Sequence, residues 1–259
     1  MTATLLVVLA LGLVIGALLG LLGGGGSILA VPALVYGAGL PLAEAVPTSL
    51  LVVGISSAAA VLQRLRQVQW RLAAIFAATG AAAAFAGTAI NRLLDPSLVL
   101  IGFAAVMVVA ALRMLRGSDD LGGSCALPGG GVNWRGCLPK AAASGVVVGV
   151  LTGLFGVGGG FLIIPALTLL LGLPMATATA TSLVVIVANS AAAFTAHLGD
   201  TTINLPIAAA FTAAAILGSL AAGRLAHRLP SRRVRRWFAH LVLVVAAYVT
   251  LQAVPAVLV

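Results

Sequence analysis

Charge is what this chain has least of. Only 7% of its 259 residues are Asp, Glu, Lys or Arg. The acids are Glu44, Asp95, Asp119, Asp120 and Asp200. A soluble domain of this length needs far more surface charge. None of the five acids lies deep in an apolar run. That removes the paired carboxylates of a hydrolase and the intramembrane acids typical of cation carriers. The three histidines form no cluster. Two cysteines, Cys125 and Cys137, are too few for a four-ligand zinc site. They are read as free thiols rather than a functional pair, with a disulfide as the alternative. No P-loop occurs, no cofactor or metal is implied, and the chain is not read as an enzyme.

What is present is apolar. Hydrophobic residues make up 62% of the chain and its mean hydropathy is +1.22. The long uninterrupted runs point to an all-α polytopic membrane protein, since a transmembrane β-barrel would alternate instead. Met1–Leu22 lacks a basic leader region and is read as a retained helix, not a signal peptide. The net charge of +9 would suit nucleic acid, but the 14 Lys and Arg residues sit almost wholly between the apolar runs or at their ends. They are read as loop anchors that set topology and meet anionic headgroups, so the bilayer is the expected partner and nucleic acid is not.

The chain repeats itself. Shifted by 133 residues, Gly16–Val53 overlies Gly149–Ile186 with 20 of 38 positions identical. Shared positions include Gly23/Gly156, Gly25/Gly158, Gly26/Gly159, Pro32/Pro165, Gly39/Gly172, Pro41/Pro174 and Thr48-Ser49/Thr181-Ser182. We divide the chain into a first repeat (1–116), an inter-repeat linker (117–140) and a second repeat (141–259). Each repeat reads as one long helix, a glycine break, a short helix (Ile28–Gly37, Phe161–Leu171), then three spanning helices. These last are Ala43–Leu62, Leu72–Ile90 and Leu98–Leu115 in the first repeat. In the second they are Ala176–Ala196, Leu205–Arg224 and Val234–Leu251.

Positive charge switches sides between the repeats. The loop after Leu62 holds Arg64, Arg66 and Arg71, while its counterpart His197–Asn204 has no Lys or Arg. The loop near Asn91–Ser97 holds one Arg, while its counterpart carries Arg224, Arg228, Arg232, Arg233, Arg235 and Arg236. Under the positive-inside rule this predicts two inverted-topology repeats. Each is a glycine-broken helical hairpin plus three transmembrane helices. We favour a hairpin that re-enters the side it came from, over two full crossings, because the short helix is too short to span. The linker is then cytoplasmic and both termini lie outside.

The candidate site follows from the breaks. At Gly23-Gly24-Gly25-Gly26-Ser27 and at Gly156-Val157-Gly158-Gly159-Gly160 a short helix begins with free N–H groups, which attract anions. Ser27 is the expected N-cap of the first, and Gly160 stands there in the second. The opposing reading is that the glycines only allow close helix packing. The hydroxyls of Thr48, Ser49, Thr181 and Ser182 are candidate donors to an anion, or back-bond to their own helices. Asn189, beside Ser190, lines a cavity or bridges helices. The expected substrate-binding set is therefore Gly24, Gly25, Gly26, Ser27, Thr48, Ser49, Gly158, Gly159, Gly160, Thr181, Ser182 and Asn189.

The glycine-rich break, its following proline, then Gly-Leu-Pro and Thr-Ser resemble the sulfite exporter TauE/SafE family over nearly the whole chain. The resemblance implies an inner-membrane permease for sulfite, organosulfonates or related anions, with export the expected direction. The residues by themselves argue only for a small anion. A passive anion channel and, further off, a membrane-embedded enzyme acting on lipid phosphates are the other readings. Proton coupling and a homo-oligomer are compatible with the sequence, which assigns no residue to either.

Overall fold

The computed structural model describes residues 2–91, 93, 96–116, 134–155, 160–196, 204–226 and 230–257. Among these no strand occurs. In chain order the helices are α1 (Thr2–Leu22), α2 (Gly25–Pro32), α3 (Leu42–Leu62), α4 (Trp70–Asn91), α5 (Pro96–Arg116), α6 (Trp134–Phe155), α7 (Gly160–Pro165), α8 (Met175–Ala196), α9 (Leu205–Ala226) and α10 (Ser231–Val257). The apolar runs predicted α3, α4 and α8 to within about two residues, while α6 begins and α10 ends well beyond the predicted runs. Trp134–Lys140, at the end of the inter-repeat stretch, are helical and belong to α6. Among the described residues, four helices are long and apolar enough to cross a membrane, at Leu5–Leu22, Trp70–Gly87, Met175–Phe194 and Leu205–Leu225.

Both short helices end alike. Pro32 and Pro165 lack the N–H that an α-helical turn needs, and the proline ring crowds the carbonyl four residues earlier. The backbone widens at once into a π turn, Ala33–Gly37 after α2 and Ala166–Leu170 after α7. The exits match bond for bond. Leu40 N–H donates to Leu34 O at 3.1 Å, and Leu173 N–H to Leu167 O at 3.0 Å. Gly39 and Gly172 then turn the chain at φ +69° and +67°. A Cβ on Gly39 would meet nothing within 4 Å, so the left-handed backbone is the sole cost of adding one. Gly39→Ala is therefore expected to lose about 1–2 kcal/mol and to melt a few degrees lower, as checked by thermal unfolding of purified protein. An unchanged melting temperature would contradict this turn geometry.

The chain forms two compact units, and each draws on both repeats. The first comprises Met1–Ala73 with Thr179–Leu229, and the second Ala74–Ala178 with Pro230–Val259. In the first unit α1 packs along α9, and α3 also lies against α9. The contact is made by small residues. A Cβ on Gly12, Gly16 or Gly20 of α1 would run into the backbone of Phe211, Ala215 or Ser219 on α9. In the second unit the same device joins α6 to α4, where Gly145 and Gly149 press on Thr79 and Gly80, and Gly87 on Val150. Lipid tails are as apolar as leucine, so helices in a bilayer gain most where their backbones approach closely. Exchanging the repeats turns the α1–α9 pair into the α6–α4 pair, and α5 with α10, packed together in the second unit, into itself.

Cys137 is disulfide-bonded, where the sequence reading favoured a free thiol. The other cysteine of the chain, Cys125, lies outside the described residues.

Candidate functional site

The first glycine break is built by two residues. Gly23 closes α1 in the left-handed region at φ +77°, which only glycine enters without strain. Its N–H donates to Leu19 O at 2.8 Å, and Gly24 N–H to Leu22 O at 3.0 Å. Gly24 is the N-cap of α2, and no side chain caps it. Ser27 was the expected cap. It lies one turn into the helix instead, and its hydroxyl donates back to Gly24 O at 2.7 Å. Gly25 and Gly26 belong to the helix rather than to the break. Gly26 lets α2 fold directly onto α1, since a Cβ there would lie 2.5 Å from Ile15 O and 2.7 Å from Leu19 Cγ.

The side chains facing this break, the Thr179 methyl and the Ser182 hydroxyl, come from the other repeat. A Cβ on Gly23 would lie 2.7 Å from Thr179 Cγ2 and 3.0 Å from Ser182 Oγ. The first unit therefore sets Gly23-Gly24 against the opening turns of α8. Ser182 Oγ donates to Thr179 O at 2.9 Å, the back-bond that sequence alone left open. Thr181 Oγ1 accepts the Gln69 N–H at 3.1 Å. That contact ties the loop before α4 to α8 and leaves the hydroxyl proton of Thr181 available.

On α3, Thr48 is fully buried and its Oγ1 has no hydrogen-bond partner; the same holds for Ser57 Oγ. A buried hydroxyl without a partner carries a desolvation cost and marks a place where polar company is missing. Ser49 is buried and does have a partner. Ser56 back-bonds to Val52 O at 2.6 Å. Asn189 is half-buried, and its neighbour Ser190 faces Gly54, where α3 and α8 meet. Gly158 and Gly159 lie outside the described residues. Gly160 opens α7 and is buried in the second unit.

One residue of this region was misjudged as a loop anchor. Arg64 follows α3 in sequence, yet only 5% of it is exposed. Its guanidinium donates to the carbonyl of Gly20, in the last turn of α1. A cation suits a helix C-terminus, which carries partial negative charge. Burial pushes the Arg64 pKa below its ordinary value, though arginine stays protonated throughout the physiological range. Next to it Gln63 Nε2 donates to Leu220 O at 3.2 Å, which fastens the same turn to α9. Its neighbour Arg66 is exposed, as a loop anchor should be.

Comparison with known proteins agrees on one kind of relative. A protein from Xylella fastidiosa strain Temecula1, described as a probable membrane transporter protein, is 34% identical over 251 residues, covering 95% of each chain. A second from strain 9a5c, with the same description, is 33% identical over 254 residues, again with 95% coverage of both. The probable membrane transporter protein YunE of Bacillus subtilis is 27% identical over 239 residues, covering 82% of this chain and 85% of its own. No solved structure matches. The family model described as sulfite exporter TauE/SafE matches residues 8–249. That span takes in both glycine breaks and both Thr-Ser pairs, and the chain belongs to the TauE/SafE family of multi-pass membrane transporters.

Proposed function

We propose that the protein is a secondary transporter that moves a small anion, sulfite or an organosulfonate, across the inner membrane by alternating access, with export as its working direction. One observation carries the reading. α2 begins at Gly25, directly after the Gly23-Gly24 break, and Gly23 packs against the buried turn Thr179–Ser182 of α8. Helix N-termini hold anions through free N–H groups and partial positive charge. Irregular backbone at membrane depth is tolerated where it lines a polar cavity. In this reading the amides of Gly25 and Gly26 and the hydroxyl of Thr181 hold the anion's oxygens, with the unpartnered Thr48 a further donor. The switch of positive loops between repeats supports inverted topology, and with it rocking of the repeats as the motion. Sulfite as substrate is drawn from the family. An inside-negative potential favours anion exit by about 2.3 kcal/mol per charge per 100 mV, so export needs no ATP.

The test is sulfite flux in proteoliposomes, with sulfate and taurine as competitors and an imposed pH gradient. Saturable flux with counterflow is expected. Flux that never saturates and shows no counterflow would make the protein a channel. Absence of flux for sulfite, sulfonates and carboxylates alike would overturn the transporter reading.

A further inference from the structure

Arg64 is a buried cation with no anionic partner among the described residues. Its guanidinium has five N–H donors, and the acceptor it reaches is Gly20 O. The one described acid is Glu44, in the first turn of α3. Arg64 follows the far end of that helix, so ~27 Å of helix separates the two, at 1.5 Å per residue from Glu44 to Leu62. Isolated charge in the interior of a protein is costly unless something compensates it. The carbonyls at the end of α1 compensate only in part.

The position is informative. Helix carbonyls point towards the C-terminus, so a donor on Gly20 O sits at the end of α1 where Gly23 and Gly24 form the break. α2 begins there, and its N-terminal amides add partial positive charge on the same spot. The second repeat has His197 at the equivalent position, so a permanent charge is built into the first repeat alone.

We propose that Arg64 supplies the fixed positive charge that binds the transported anion at the first glycine break. This rests on the transporter reading above. A planar guanidinium fork favours oxyanions with two adjacent oxygens over spherical halides, because it can donate two parallel bonds. Sulfite, sulfonates and carboxylates fit, and chloride does not. Ser182 Oγ also lies close to Gly23, 3.0 Å from where a Cβ would stand.

The experiment compares wild type, Arg64→Lys and Arg64→Gln in proteoliposomes, with elution profile and melting temperature as folding controls. For folded Arg64→Gln, the KM for sulfite should rise roughly ten- to hundred-fold, and preference over chloride should fall. Arg64→Lys should rescue part of the KM and little of the preference. A merely structural cap on α1 would lower the melting temperature and leave KM and preference alone. A wild-type KM in Arg64→Gln overturns the proposal and leaves the transporter reading intact. Since Arg64→Gln is liable to misfold, a second measurement uses the wild-type protein. Phenylglyoxal modification at Arg64, read by peptide mass, should be suppressed by sulfite and not by chloride. Modification indifferent to sulfite, or none at all, overturns the proposal. Sulfite protection without any flux keeps Arg64 as an anion site and removes transport.

Discussion

Gly16→Val is expected to yield no monodisperse protein. A Cβ at Gly16 would fall on the carbonyl group and Cα of Ala215. These are backbone atoms, so no side chain can swing aside to make room, and α1 and α9 would have to separate. The gap could not close elsewhere, because Gly12 and Gly20 hold the same line against α9, and Gly218 presses back on Leu13 O. Overpacking a soluble core costs about 1–3 kcal/mol. Here the cost is expected to exceed that, since separation forfeits the close-approach contacts that stabilise helices in lipid. Total stabilities of about 5–15 kcal/mol leave little reserve. The control is Val14→Leu on the same helix, at a position 55% exposed, which should behave as wild type. Size-exclusion profiles and thermal unfolding in detergent decide the matter. A Gly16→Val protein that elutes and melts like wild type would mean that α1 and α9 do not pack as described.

Gly23→Ala is expected to fold and to lose transport. Two costs combine. A left-handed φ of +77° penalises any L side chain by about 1–2 kcal/mol. The new Cβ would also lie 2.7 Å from Thr179 Cγ2 and 3.1 Å from Thr179 Cα. The break must open or twist, and the start of α2 moves relative to α8. Flux is expected to fall ~10-fold or more, since each ~1.4 kcal/mol of misplacement is a factor of ten. The double variant Gly23→Ala/Thr179→Ser separates the terms. Removing the Thr179 methyl relieves the closest contact and leaves those to Ser182 Oγ and Thr179 Cα together with the backbone strain, so flux should recover in part. Wild-type kinetics for Gly23→Ala would remove the break from the transport mechanism. Full recovery in the double variant would show that φ at residue 23 carries no cost.

Much of the helical framework was legible because it is written locally. Apolar runs long enough to span, bounded by Gly, Pro and charged residues, located α3, α4 and α8 to within about two residues, the usual uncertainty of helix ends. The 133-residue repeat foretold that Pro32 and Pro165 would sit in matching surroundings. It did not foretell the π turns that follow them. A proline announces a missing hydrogen bond, while the way the next turn relaxes depends on what packs around it. Ser27 shows the same limit. A serine at the start of an apolar run is a sound N-cap signal, but a helix that begins one turn earlier, at Gly25, turns it into an interior residue that back-bonds.

Arg64 shows where local reading fails most. It precedes Arg66 and Arg71 in a short polar connection, and such a cluster is read as solvated. Nothing in the cluster says that its first member turns inwards to the end of α1 while Arg66 stays exposed. The same holds for the partner of the first break. Thr48-Ser49 is nearer in sequence, yet the side chains that face Gly23, Thr179 and Ser182, belong to α8, more than a hundred residues away.

The sequence by itself determined the membrane class, most of the helices, the repetition of the chain and the first glycine break. Each of these depends on composition or on neighbours along the chain. Tertiary structure alone decided that α1 pairs with α9, that Gly23 faces Thr179 and Ser182, and that the Arg64 charge is buried. The reason is physical. A soluble helix shows its buried side as an apolar stripe, whereas a helix in lipid is apolar all round. Which faces meet is then settled by how closely backbones can approach and by which polar groups find partners, and both are known only once distant segments are placed together.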